Sequence, residues 1–150
     1  MTEYYKSKLA SGLEFQDYCA IQFSKIGIPI TSFSSTKYQY EKGENLQGFE
    51  FKNDEIFRST GNLWIEVKER TNINNEYVNS GIFRSDNTKF YVMGDYEGVF
   101  IMQKKVLQAL SKKYKAKENN MKTSIGFLFP VKRAKELFDY IEFKKPQEND

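Results

Sequence analysis

Gly48-Phe49-Glu50-Phe51-Lys52-Asn53-Asp54 and Leu63-Trp64-Ile65-Glu66-Val67-Lys68-Glu69 are two short runs in which apolar and polar or charged residues alternate. Alternation with a period of two marks a half-buried strand. Ser59-Thr60-Gly61-Asn62 between them carries turn chemistry, so residues 49–57 and 63–69 read as an antiparallel hairpin. On such a hairpin Glu50, Lys52 and Asp54 share one face, and Asp54 lies opposite or near Glu66. Glu66 and Lys68, two residues apart on a strand, also share a face, with α-carbons about 6.6 Å apart. Like charges facing each other across a hairpin repel. Three carboxylates converging there make best sense with a divalent cation between them. Ion pairing with Lys52, Lys68 and Arg70 is the competing account.

Outward from this hairpin, Ser11-Gly12-Leu13-Glu14 has the form of a capping box. It predicts a first helix over residues 12–26 that stops at Gly27. Residues 28–34 alternate like a strand interrupted by Pro29. Residues 71–88 read as a loop longer than ordinary connectors. Residues 89–94 and 98–103 form a second hairpin around Asp95-Tyr96-Glu97. A helix over 104–117 follows, with Val106, Leu107, Leu110 and Tyr114 inward and Lys112, Lys113 and Lys115 outward. Residues 124–130 form a strand, and 131–143 a last amphipathic helix. The class is α+β, one domain over residues 1–150.

Composition narrows the chemistry. The 150 residues contain no histidine and a single cysteine, Cys19. Histidine-dependent nucleophilic catalysis, helical His pairs for zinc, an intrachain disulfide and a cysteine zinc cluster are therefore excluded. Carboxylate, lysine, tyrosine and serine chemistry remains, and carboxylates suit hard cations such as Mg²⁺. Residues 1–102 hold 11 basic and 14 acidic side chains, whereas residues 103–145 hold 12 basic and 4 acidic. A basic face beside a cation-binding centre suits a polyanion, although on the charge alone a plain solvated lysine helix is the more usual explanation. Lysine supplies 19 of the 23 basic residues, which favours diffuse phosphate contact over bidentate base reading. No apolar run approaches the ~20 residues of a membrane span, and the first residues lack a signal pattern. The expectation is a cytoplasmic protein with no membrane association.

The order of these segments resembles the PD-(D/E)XK nuclease superfamily. The likeness covers residues 11–70 and 98–131. It is nearest in type to Holliday-junction-resolvase-like and restriction-endonuclease-like proteins, including small phage ones. The helix glutamate of that pattern is matched by Glu14, the Gly-x-acid strand by Gly48-Phe49-Glu50, and the Glu-x-Lys by Glu66-Val67-Lys68. The acid position is filled by Glu50 or by Asp54, which stand 16 and 12 residues before Glu66. Residues 71–97 read as an insertion.

The resemblance implies a mixed central sheet flanked by helices and carrying an inserted loop or hairpin. It implies Mg²⁺- or Mn²⁺-dependent hydrolysis of phosphodiester bonds, with Glu14, Glu50, Asp54, Glu66 and Lys68 as catalytic residues. The ion would be held by Glu50 or Asp54, by Glu66 and by the carbonyl of Val67. Lys68 would orient the attacking water. The implied partner is a nucleic acid, DNA first, with a homodimer as the candidate assembly. Arg84, Lys89, Lys104, Lys105, Lys112 and Lys113 are its expected phosphate contacts. A non-catalytic nucleic-acid-binding module of the same fold and a phage accessory interaction protein are the alternatives.

Overall fold

Phe15, Cys19 and Phe23 stand four residues apart and form the buried stripe of helix α1 (Glu3–Lys25). The computed structural model, which describes residues 3–28 and 48–144, stops this helix at Gly27, whose φ of 87° suits glycine. The helix begins well before the capping box expected to open it, so Gly12 lies inside the helix with nothing near its α-carbon face. Beyond Ile28, the strand expected over 28–34 lies outside the described residues.

The other described residues build two four-stranded sheets. The first contains β1 (Phe49–Asn53), β4 (Phe90–Asp95), β5 (Gly98–Gln103) and β8 (Asp139–Glu142), in that spatial order. It is mixed: β1 and β4 are parallel, and the other pairs are antiparallel. The second, in the order β3-β2-β7-β6, contains β2 (Asn62–Glu69), β3 (Val78–Asn79), β6 (Lys117–Glu118) and β7 (Ser124–Pro130). On one face of the first sheet, Phe51, Val92 and Val99 pack with the α1 stripe and Phe143. On the other, Tyr91, Met93, Phe100 and Met102 meet Leu63, Ile65, Phe127 and Phe129 of the second sheet. Burial on both faces explains why β4 and β5 read as unbroken apolar runs instead of alternating.

The class is α+β, as expected, but several segments differ from the sequence reading. β1 and β2 do not form a hairpin. The chain leaves β1 through a short helix, α2 (Phe57–Thr60), whose Phe57 is buried, and turns at Gly61 with φ 76° into the other sheet. β1 pairs instead with a distant strand, Glu50 beside Tyr91 and Lys52 beside Met93. Within the stretch 71–97, Phe90–Asp95 forms β4, which is interior to its sheet.

The β4–β5 hairpin forms as read, closing Asp95 against Gly98. The helix expected over 104–117 is α3 (Lys104–Leu110) followed by a 3₁₀ turn (Ser111–Lys113), after which Tyr114 stacks on Phe127 at 5.4 Å. The last helix, α4 (Val131–Leu137), gives way to β8 because Tyr140 packs on Phe100 and pairs with β5. No helix among the described residues is long and apolar enough to cross a membrane.

Burial has one clear electrostatic consequence at Cys19. With no polar compensation, it pushes the thiol from 9.0 up to about 12. At the β4–β5 turn the Arg58 guanidinium grips Asp95 through Nε at 2.6 Å and Nη2 at 3.0 Å, and Nη2 also donates to the Tyr140 hydroxyl at 2.8 Å. Burial of Asp95 opposes its ionisation. The Arg58 bonds and the amides of Glu97 and Gly98 outweigh that and hold the carboxyl below its ordinary range.

Two measurements check this fold. Gly12→Ala should stabilise the protein by about 0.5–1 kcal/mol in denaturant melts, the gain for a helix interior; no gain would place Gly12 at a helix start. Arg58→Ala should cost about 1–2 kcal/mol at pH 7, the guanidinium being partly solvated. Asp95 has its folded pKa depressed, so its contribution is present above 3.8 and lost as pH falls through the folded value. The gap between wild type and Arg58→Ala should therefore narrow below pH 3.8.

Candidate functional site: a carboxylate cleft between two sheet edges

Among the described residues β1 is the outer strand of the first sheet. The N-terminal half of β2 is not covered by β3, which pairs only with Lys68 and Glu69. A cleft of about 200 Å³ lies between these elements, lined by Lys52, Asn53, Asp54, Trp64, Ile65, Glu66, Gly81, Ile82, Tyr91 and Met93. Asp54 and Glu66 thus share one cleft, although they come from different sheets and not from two arms of a hairpin.

Each carboxylate is anchored. Asp54 Oδ2 accepts the amide of Trp64 at 3.1 Å, and Oδ1 accepts that of Ile56 at 3.2 Å. Its side chain therefore takes up the β2 edge donor that a direct β1–β2 ladder would have used. Glu66 Oε1 accepts the hydroxyl of Ser124 at 2.7 Å, and Oε2 accepts that of Ser80 at 3.1 Å. Glu50 is buried beside the cleft, where its Oε1 lies 3.0 Å from Lys52 Nζ. Asn53 Oδ1, on a residue of the cleft wall, is buried without a hydrogen-bond partner among the described residues.

Lys68 does not accompany Glu66. A β-bulge falls between them: Glu66 pairs with Gly126 and Lys68 with Ile125, neighbours on β7 that face opposite ways. The extra residue, Val67, packs on the core, and its carbonyl accepts the amide of Ser80 at 3.0 Å. That occupies one acceptor site of the carbonyl that the family resemblance gives to a metal. Glu14 also lies elsewhere. It is exposed on α1, which covers the face of the first sheet opposite to that of Tyr91 and Met93. After burial, its charge helps push the Tyr96 hydroxyl up, which places it near the β4–β5 turn. Among the described residues no three acidic or cysteine side chains converge closely enough to hold a metal. Two carboxylates are nevertheless a sufficient protein contribution for Mg²⁺, which keeps several waters and takes substrate oxygens.

Of the expected phosphate contacts, Arg84, Lys89, Lys105, Lys112 and Lys113 are exposed. Lys104 is not: its Nζ donates to the Arg84 carbonyl at 2.6 Å and to Asp86 Oδ1 at 3.0 Å, and its side chain is 12% exposed. It fastens the segment after β3 instead of facing solvent. Ser80, Gly81, Tyr91 and Ser124 escape sequence reasoning, because nothing local marks them as neighbours of Glu66. Gly81 has φ 51°, and a β-carbon there would lie 2.0 Å from the Glu66 carbonyl oxygen. The Tyr91 hydroxyl donates to the Gly81 carbonyl at 2.7 Å.

Gly81→Ala should therefore destabilise the fold by more than about 2 kcal/mol, combining overpacking with a left-handed backbone. Thermal melts beside wild type check this; an unchanged midpoint would mean that the segment does not lie against Glu66.

No family model matches the chain, and no curated protein or solved structure matches it.

Proposed function

We propose that the chain is a divalent-metal-dependent nuclease of the PD-(D/E)XK type, with a restriction-endonuclease-like core, hydrolysing phosphodiester bonds of DNA. The observation that supports this most is that Asp54 and Glu66 line one cleft together with Lys52. Asp54 and Glu66 would hold Mg²⁺ or Mn²⁺, with Glu50 as a charge partner behind Lys52. Such an ion lowers the pKa of a bound water and neutralises charge developing on the phosphate. The chain's own part is to hold both carboxylates ready. Two amides fix Asp54 and two serine hydroxyls fix Glu66, which limits reorganisation when charge develops. Exposed Arg84, Lys89, Lys105, Lys112 and Lys113 would add diffuse attraction for the phosphate backbone.

One observation favours a second reading, a nucleic-acid-binding module of the same fold without hydrolysis. Both Glu66 oxygens already accept hydrogen bonds, and Lys68 lies across the bulge.

Cleavage of supercoiled and branched DNA in Mg²⁺ or Mn²⁺ separates the two. Asp54→Asn and Glu66→Gln should each remove detectable cutting from a folded protein. In the wild type, Mn²⁺ at a hundredfold excess over its dissociation constant should stabilise by about 2.7 kcal/mol. For a domain of this size that raises Tm by about 5 °C, and neither variant should show the shift. Absence of both cutting and a metal-induced shift in the wild type would move the conclusion to the binding module.

A further inference from the structure

We infer that the Trp64 indole is a stacking platform for a nucleobase beside the cleft, an inference that rests on the nucleic-acid reading of this site. The strand held there is then single-stranded or locally unpaired. Trp64 is the only tryptophan of the chain, and it lines the cleft with Asp54 and Glu66. It packs in neither apolar core of the described residues, although an indole gains more from burial than most side chains. The alternation of β2 explains this. Leu63 and Ile65 are buried between the two sheets, so Trp64 and Glu66 point to the opposite, outer face of the second sheet.

That face offers the ring support on one side. Gly126 puts no side chain beneath it: a β-carbon there would lie 2.8 Å from Trp64 Cζ2 and 2.9 Å from Cε2. The indole therefore lies against the backbone of β7. Leu128, the cross-strand partner of Trp64, is 38% exposed and extends the apolar surface. Lys117 supplies the charge. It pairs with Gly126 from β6 as Glu66 does from β2, so Glu66, Gly126 and Lys117 form one row across the sheet. Neighbours in that row stand one strand spacing apart, about 4.8 Å, and Lys117 is exposed. Glu66 and Glu69 lie to one side of Trp64 along β2, which leaves the Leu128 end apolar. An aromatic face with a lysine beside it suits a base and its phosphate, because every base has a π-face and the ammonium meets the backbone as a point charge. A base inside a duplex is stacked on its neighbours and out of reach of the indole, whereas an unpaired one is not.

The single tryptophan makes the test direct. The full chain, in EDTA and again in Ca²⁺, is titrated with a short oligothymidylate while Trp64 emission is followed. The emission should be quenched. An abasic strand of equal length and charge should quench it far less and bind about tenfold more weakly. Trp64→Leu should lose about tenfold in affinity for oligothymidylate and nothing for the abasic strand, measured by anisotropy of labelled strands. Trp64→Phe, which keeps a stacking ring, should recover most of that loss. Lys117→Gln should weaken both strands alike and lower the slope of log K against log salt by about 0.7. Should Trp64→Leu not fold, the wild-type comparison of the two strands and Trp64→Phe decide. Equal quenching by the abasic strand, binding of oligothymidylate without quenching, or wild-type affinity in Trp64→Leu overturns the inference and leaves the nucleic-acid reading standing. Tighter binding of a blunt duplex than of the single strand does the same. Binding that depends on Trp64, by a wild type that cuts no DNA in Mn²⁺, supports the inference and removes the nuclease reading. A wild type that binds neither oligothymidylate nor duplex DNA, in EDTA or in Ca²⁺, overturns both.

Discussion

Burial of the first sheet on both faces is the constraint on which the other arrangements depend. Because β4 and β5 are apolar on each side, one face must be covered by a helix and the other by a second sheet. The α1 stripe of Phe15, Cys19 and Phe23 meets the first requirement, and Leu63, Ile65, Phe127 and Phe129 meet the second. β1 then enters as a parallel edge, a pairing that needs a long connection and cannot arise from an adjacent turn. That edge carries Glu50, Lys52 and Asn53, with Asp54 just past its end. The neighbouring edge of β2 carries Trp64 and Glu66. The cleft is the gap left where two separate sheets approach without joining.

A side chain bridges this gap where a ladder would use backbone, and a backbone bond holds the segment after β3 at the far end of β2. Asp54 accepts the Trp64 amide, and the Ser80 amide reaches the Val67 carbonyl at the bulge. The segment from Ser80 to Asp86 is tied at several points, through Gly81 to Tyr91, Ile82 to Gln108 and Arg84 to Lys104. A segment fastened to two sheets and a helix is a firm wall, and its glycine lets the backbone press against Glu66. The polar groups of the cleft are therefore set by contacts distant in sequence.

This division explains what could be read from the residues alone. The β4–β5 hairpin and the strand at Ser124–Pro130 follow from local turn chemistry and apolar runs, and Gly27 stops its helix as glycine should. The pairing of β1 with β4 has no local signature, so a tempting turn at Ser59–Asn62 suggests a hairpin instead. The bulge at Val67 is equally silent, since Ile65-Glu66-Val67-Lys68 alternates without a break on paper. The strand at Asp139–Glu142 continues a helical pattern and turns extended only because β5 offers it a partner. At the cleft, sequence reasoning brings Asp54 and Glu66 together by a route the fold does not take. It misses the serines that hold Glu66, and it gives Lys68 a direction that the register reverses.

The seat of Cys19 has a consequence for the chemistry of the whole chain. Enclosed between α1 and the first sheet, with its thiol pushed to about 12, it carries almost no thiolate at neutral pH. Thiolate is the species that peroxide, alkylating reagents and disulfides react with. While the chain stays folded, this thiol is therefore poorly disposed to oxidation or mixed-disulfide formation. The same sulfur becomes an ordinary reactive thiol whenever α1 lifts from the sheet. Each alkylation event then records one opening of the helix–sheet layer.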